Sequence, residues 1–304
     1  MKLSVLNALY RLSCIFIFFV PVLSIGADEK READFESVRF HSLDKSSGLG
    51  IGFLGDGKSA YLGGCRVFLL EQQRFEESCR FPMNLRWAHV SPDGTLLLGT
   101  AVESGGKRSI SFQIDALTGV VVSRKPGAYF LPPIAIHPSN KYWVAVGAGK
   151  DLSASETLTI FNRNWIKEKK GVYAGAQRVF DLTFSVDGRQ LSANGGDPSD
   201  GAVLDTTTWR PVVGQEGLIS SDGLVRWGGD KRLGAKLDGG RILLIKLDSK
   251  KIVQAIDIDA SRGEPEIAFS SDGRWFAVKG YYVFDGEEKY GFALVDLEKL
   301  IRHS

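Results

Sequence analysis

Phe269-Ser270-Ser271-Asp272-Gly273-Arg274-Trp275-Phe276-Ala277-Val278-Lys279-Gly280 decides the fold, because the chain repeats it. Relatives of this segment occupy 53–63, 90–99, 136–147 and 184–195, with a degenerate copy at 227–235. Each has an apolar residue, then Asp-Gly or an Asn equivalent, then a second apolar run. The turns fall at 57, 94, 140, 188, 230 and 273, at intervals of 37 to 48 residues. Asp-Gly between apolar runs is a strong short-range hairpin signal, since the pair tolerates a positive φ in a tight turn. A fixed period of this length marks a repeat architecture.

Working outward, a second unit follows the first in each repeat. It reads Phe112-Gln113-Ile114-Asp115-Ala116-Leu117-Thr118-Gly119-Val120-Val121-Val122 in one copy, and recurs at 203–213 and 244–253. This is a strand, an Asp-led turn and a strand. Two hairpins per repeat make a four-stranded antiparallel sheet. The last repeat runs out after Phe292-Ala293-Leu294-Val295-Asp296-Leu297, short of its fourth strand. The stretch 35–42 has no hairpin partner of its own and is the right length to supply it. Such an exchange closes the ring and removes the exposed edges of an open array. The expectation is therefore all-β: a β-propeller of about six four-stranded blades, with length enough for a degenerate seventh, closed by its N-terminal strand. An α-rich fold is excluded by the lack of helix-length amphipathic stretches and by 35 glycines, which helices disfavour. The stretch 164–170 has room for one helical turn.

The paired Asp-Gly and Asp-led turns resemble those of bacterial propellers of the WD-repeat and YVTN type, over residues 35–300. The Gly-His and Trp-Asp dipeptides of WD repeats are absent, which implies a divergent relative. The resemblance speaks to fold and leaves function open.

Residues 1–27 read as a cleaved signal peptide. Lys2 and Arg11 precede an apolar centre and the small residues Ser24, Gly26 and Ala27, the order of a secretory signal. That centre is too short to span a bilayer, so no membrane insertion is expected after cleavage. Residues 28–304 then form one propeller domain, periplasmic or secreted. Lys2 and Arg11 account for the whole net charge of +2, which leaves the remainder balanced. A balanced surface lacks the basic face that nucleic acid requires. No Asn-x-Ser/Thr acceptor occurs, consistent with a bacterial periplasmic origin.

Two cysteines remain after cleavage, Cys65 and Cys79. They flank two short strand-like segments, 66–70 and 74–78, and are placed symmetrically about residue 72. In a symmetric hairpin they face one another near the separation a disulfide requires. An oxidising compartment permits the bond. Closing so short a loop contributes about 3 kcal/mol in the chain-entropy model. Two independent buried thiols are the alternative.

The search for chemistry finds little. His41, His89, His137 and His303 are scattered without ligand spacing. His137 stands where other repeats carry Ser and reads as a turn residue; His89, on an innermost strand, can face the central channel. There is no Gly-x-Ser-x-Gly elbow, and Ser270-Ser271-Asp272-Gly273 misses the Ser-x-Asp-x-Gly box of sialidases by one position. The loop 194–201 gathers oxygen ligands that calcium accepts, without the pattern of an EF-hand. No cofactor is expected beyond such a divalent cation.

What remains is a surface. In a propeller, the loops joining second to third strands share one face with those joining consecutive blades. Here these loops vary most in length, and rigidly held loops collect binding residues. Trp87, Tyr129, Phe130, Tyr281 and Tyr282 lie in or beside them and form the candidate binding surface. The expected function is a protein- or glycan-binding scaffold with a protein or envelope-glycan partner. The alternative is a metal-assisted hydrolase or lactonase-like propeller, with Asp151, Asp197, Asp200, Asp285 and Glu287 meeting over the channel mouth.

Overall fold

The structure is a computed structural model. It describes residues 38–43, 50–76, 79–81, 85–102, 109–126, 133–146, 157–173, 179–185, 187–195, 201–212, 225–227, 233–238, 240–246, 249, 251–259, 265–284 and 287–302. The described strands form six four-stranded antiparallel sheets arranged as a β-propeller.

Strand β1 (Val38–Ser42) comes first in the chain and last in the ring. Blade 1 holds β2 (Gly52–Phe53), β3 (Ser59–Tyr61), β4 (Val67–Leu69) and β5 (Arg74–Phe75). Blade 2 holds β6 (Trp87–Val90), β7 (Leu96–Val102), β8 (Ser109–Asp115) and β9 (Val121–Pro126). Blade 3 holds β10 (Ile134–Ile136), β11 (Tyr142–Val146), β12 (Thr157–Asn162) and β13 (Lys167–Tyr173). Blade 4 holds β14 (Val179–Phe184), β15 (Gln190–Gly195), β16 (Gly201–Asp205) and β17 (Arg210–Pro211). Blade 5 holds β18 (Val225–Trp227), β19 (Leu233–Asp238), β20 (Arg241–Lys246) and β21 (Ile252–Asp257). Blade 6 holds β22 (Glu266–Phe269), β23 (Trp275–Phe284) and β24 (Glu287–Asp296), and β1 completes it by pairing with β24 from Val38↔Val295 to Ser42↔Gly291. The N-terminal strand thus closes the ring as expected, and the blade count is the lower of the two anticipated. A short helix, α1 (Leu297–Arg302), follows β24. The stretch 164–170 holds no helical turn: it is a bend running into β13, paired with β12.

Burial explains why the strands read as they do. The second and third strands of each blade are covered on both faces by neighbouring blades. Leu96-Leu97-Leu98, Trp143-Val144-Ala145 and Phe276-Ala277-Val278 are buried throughout, so they appear as continuous apolar runs rather than alternating ones. Alternation survives on outer strands such as β9, where one face meets solvent. Among the described residues, five apolar clusters join neighbouring blades. They link blades 1 and 2, 2 and 3, 3 and 4, 5 and 6, and 6 and 1.

The repeated Ser-x-Asp-Gly turn joins first to second strands, and its geometry recurs in blades 2, 4 and 6. Ser91, Ser185 and Ser270 donate from Oγ to Asp93, Asp187 and Asp272 at 2.5, 2.7 and 2.5 Å. The same Oγ accepts the N–H of Leu96, Gln190 or Trp275 at 2.9, 3.0 and 2.8 Å. Each Asp also accepts the N–H two residues on, from Thr95, Arg189 or Arg274. Gly94, Gly188 and Gly273 take φ of 71°, 69° and 74°, and the preceding Asp does not. The turn is therefore a helical-type bend ended by one left-handed glycine, rather than a turn with two positive φ angles.

These turns also touch around the ring. The Gly55 N–H donates to Gly94 O at 2.9 Å, and Asn140 Nδ2 donates to Asp93 Oδ2 at 2.8 Å. His137 Nε2 lies 3.2 Å from Gly188 O. The aspartates of the motif are spent on turn and blade contacts. Those contacts account for their recurrence.

Candidate functional site

Cys65 and Cys79 are joined, with Cα atoms 5.0 Å apart. The hairpin beside them is offset from the symmetric one expected. Phe68 pairs with Phe75 and Leu69 with Arg74, so its centre lies before residue 72, and Gln73 takes a left-handed φ of 52°. The cysteines therefore lie outside the ladder, and the bond ties the base of this hairpin together.

The first strands of the blades, β2, β6, β10, β14, β18 and β22, neighbour one another in a ring around the channel. At the end bearing the Asp-Gly turns, the channel opens into a cavity of about 340 Å³ whose lining includes His89, Pro92, Thr183, Phe184, Phe269 and Ser271. His89 does face the channel. Asp93 also borders the cavity, but its carboxylate is committed. Burial pushes its pKa up, yet hydrogen bonds from Ser91, the Thr95 N–H, Asn140 and the Thr95 hydroxyl together hold it below the ordinary value. Thr183 Oγ1 donates to Asp181 at 3.3 Å. No lysine or arginine lines the cavity among the described residues.

The opposite end of the channel carries the loops. Here blade 6 differs from the rest: β23 and β24 have ten residues each, against three to seven for the second and third strands elsewhere. The hairpin keeps its register to Phe284↔Glu287. Side chains alternate across it, and that alternation separates two neighbours grouped together in the sequence. Tyr281 pairs with Tyr290, ring centroids 4.9 Å apart, and both are partly exposed. Tyr290 packs at the edge of the cluster shared with blade 1. Val283, on the same side, is 59% exposed.

Tyr282 points the other way, into the cluster shared with blade 5, and is 2% exposed. Its hydroxyl donates to Val278 O at 2.5 Å and accepts the Ala293 N–H at 3.2 Å. Burial pushes its pKa well above the ordinary phenol value. Tyr282 is therefore a core residue, and its place on the expected binding surface is corrected: strand alternation turns it inward. Trp87 opens β6 at the loop end and is partly exposed, as a surface candidate requires.

Behind the Tyr281–Tyr290 pair lies a polar group that the sequence did not single out. Glu266 and Lys279 are directly opposed on β22 and β23. Lys279 is fully buried, with Nζ 3.0 Å from Glu266 Oε2, a contact made by charge rather than by a well-directed hydrogen bond. Burial, the Glu266 charge and Tyr281 push Tyr290 up to about 12. Burial and then Glu266 push Tyr61 higher still. These phenols stay protonated and able to donate.

The other expected residues fall as follows. Tyr129 and Phe130 lie outside the described residues, as do Asp151, Asp197, Asp200 and Asp285. Glu287 is exposed at the hairpin tip, 3.7 Å from Lys289. Of the loop 194–201, residues 196–200 lie outside the description. Among the described residues, no three His, Cys, Asp or Glu side chains gather as ligands. His137 stacks on Tyr142 at 4.4 Å and meets Phe184 at 5.1 Å, in the turn role expected of it. Sequence reasoning also passed over Trp165 and Trp209. Both hold left-handed φ, 65° and 57°; Trp209 takes the turn position that Gly119 fills in blade 2, and Trp165 closes a turn one residue shorter in blade 3. Aligning Thr208-Trp209 with Thr118-Gly119 exposes the exchange.

No family model matches the chain, and no curated protein does. Among solved structures, it is similar to Kuenenia stuttgartiensis hydrazine synthase at 15% identity and a TM-score of 0.48, over 79% of this chain and 75% of that one.

Proposed function

We propose that this protein is a non-enzymatic binding or scaffold propeller of the periplasm or cell exterior, a divergent relative of the bacterial WD-repeat and YVTN-type propellers. Its loop-bearing face engages a protein or envelope glycan. The observation that carries this reading is the Tyr281–Tyr290 pair on a hairpin whose strands are longer than the described second and third strands of any other blade. Two aromatic rings held by a packed sheet present apolar area with polar tips at little entropic cost, the character of interface hot spots. The Cys65–Cys79 bond supports an oxidising compartment. Among the described residues, no helix is long and apolar enough to cross a membrane.

The test is capture by tagged protein from its native envelope fraction, together with a glycan panel and metal content on the same sample. A Tyr281→Ala/Tyr290→Ala variant that keeps its thermal transition should lose at least about tenfold in capture, the scale of one or two hot-spot contacts. Capture equal to that of the unaltered protein would remove this face from consideration.

A further inference from the structure

We propose that Glu266 and Lys279 form a latch that closes the ring at the seam between blade 6 and blade 1, and that this seam is where the propeller opens first. The latch grips a single residue of the neighbouring blade by both of its main-chain polar groups. Glu266 Oε1 accepts the Gly50 N–H at 2.8 Å, and Lys279 Nζ donates to Gly50 O at 3.3 Å. Both main-chain polar groups of Gly50, just ahead of β2, are thus held by one ion pair from blade 6.

Gly50 is also fixed on its other side. Its φ is +124°, and a Cβ there would lie 2.3 Å from Ala88 O of blade 2 and 3.2 Å from the Tyr61 ring of blade 1. No other residue fits between the three blades. The ion pair therefore acts on a joint that cannot shift sideways.

This seam differs from the others in that β1, rather than an unbroken blade, completes it, alongside the apolar cluster that blades 6 and 1 share. β1 gives five residues, none of them fully buried. His41 stacks on Phe292 at 4.9 Å, approaches Phe68 at 4.6 Å and meets Gln73 Oε1 at 3.1 Å. The chain runs on from β1 into blade 1, so separating blades 6 and 1 requires the latch to let go of Gly50 as well as the parting of their shared apolar cluster. A fully buried ammonium whose partner is removed is strongly destabilising, whereas removing both charges is tolerated far better. This asymmetry distinguishes a latch from ordinary packing.

The test is hydrogen–deuterium exchange on the whole chain for Glu266→Gln, Lys279→Met and the double variant. Loss of the latch should speed exchange in 38–43, 50–53 and 290–295 by at least about tenfold, while 142–146 and 190–193 change less than about twofold, the pattern of a local opening. Glu266→Gln should be the most severe, because it removes the counter-charge of the buried Lys279, and the double variant should be milder than that single. Uniform acceleration in all blades, additive effects or unchanged seam exchange would each overturn the proposal. If the single variants do not fold, the unaltered chain in sub-denaturing urea decides. Seam amides that open before those of blades 3 and 4 support the latch, and one global opening refutes it. The result does not depend on the loop face binding anything.

Discussion

At the scale of the residue, two tryptophans weigh backbone strain against packing. A left-handed φ costs a bulky residue about 1–2 kcal/mol, while truncating a buried aromatic costs about 3–5 kcal/mol. Trp165 is buried, packs edge-on against Trp143 at 5.1 Å, and donates from Nε1 to Ser123 Oγ of blade 2 at 3.0 Å. Packing wins there, and Trp165→Gly should lower unfolding free energy in urea by about 2–3 kcal/mol. Trp209 is only partly buried, 6.2 Å from Tyr142, so strain and packing nearly cancel. Trp209→Gly should change stability by less than about 1 kcal/mol in the same assay.

His137 sets a pH dependence of known sign. Burial lowers its pKa, the Gly188 carbonyl raises it, and Lys141 lowers it again, for a net decrease from 6.5. Gly188 O can only accept, so Nε2 carries the proton and Nδ1 accepts the Ser139 N–H at 3.1 Å. The unfolded chain takes up a proton first as pH falls. Stability should therefore drop as pH is lowered from 6.5 through the lower folded value. His41 shifts in the same direction through burial, partly opposed by Gln73. Melting temperatures at pH 7.5 and 5 should differ, and the difference should shrink in His137→Ser, which restores the residue of blades 2, 4 and 6.

At the scale of the element, the β23–β24 hairpin shows how much of the candidate site was legible. The sequence places Tyr281 and Tyr282 together at a variable loop, and both belong to the overlong hairpin. What it could not show is which face each takes, since a strand sends neighbours to opposite sides and both sides of a blade can be covered. Tyr282→Ala should cost about 3–5 kcal/mol by creating a cavity and stranding Val278 O and the Ala293 N–H. Tyr281→Ala, losing mainly its ring contact with Tyr290, should cost about 0.5–1.5 kcal/mol. Urea titration of both variants checks the contrast, and similar losses would contradict the assigned faces.

At the scale of the whole molecule, closure by β1 governs cooperativity. Deleting residues up to 42 leaves the outer edge of β24 from Gly291 to Val295 unpaired, a template for pairing with another chain. The truncated protein should lose its single sharp thermal transition and self-associate in size-exclusion chromatography. A monomer with an unchanged transition would show that the blade contacts close the ring without β1.

The sequence by itself determined the repeat of two hairpins per blade, the position of the turns and the identity of the closing strand, while six or seven blades, and a bond or two free thiols at Cys65 and Cys79, both stayed open until the structure. The repeat and its turns rest on local chemistry: a Ser hydroxyl, an Asp carboxylate and a glycine at fixed offsets bend the chain wherever they occur. Only the tertiary structure decided that Tyr282 is core, that Trp165 and Trp209 brace neighbouring blades, and that Glu266 and Lys279 hold Gly50. Those contacts join residues as far apart as 216 and 229 positions. No local pattern encodes them, because blade-to-blade packing depends on the ring's curvature and on which face of each sheet meets its neighbour.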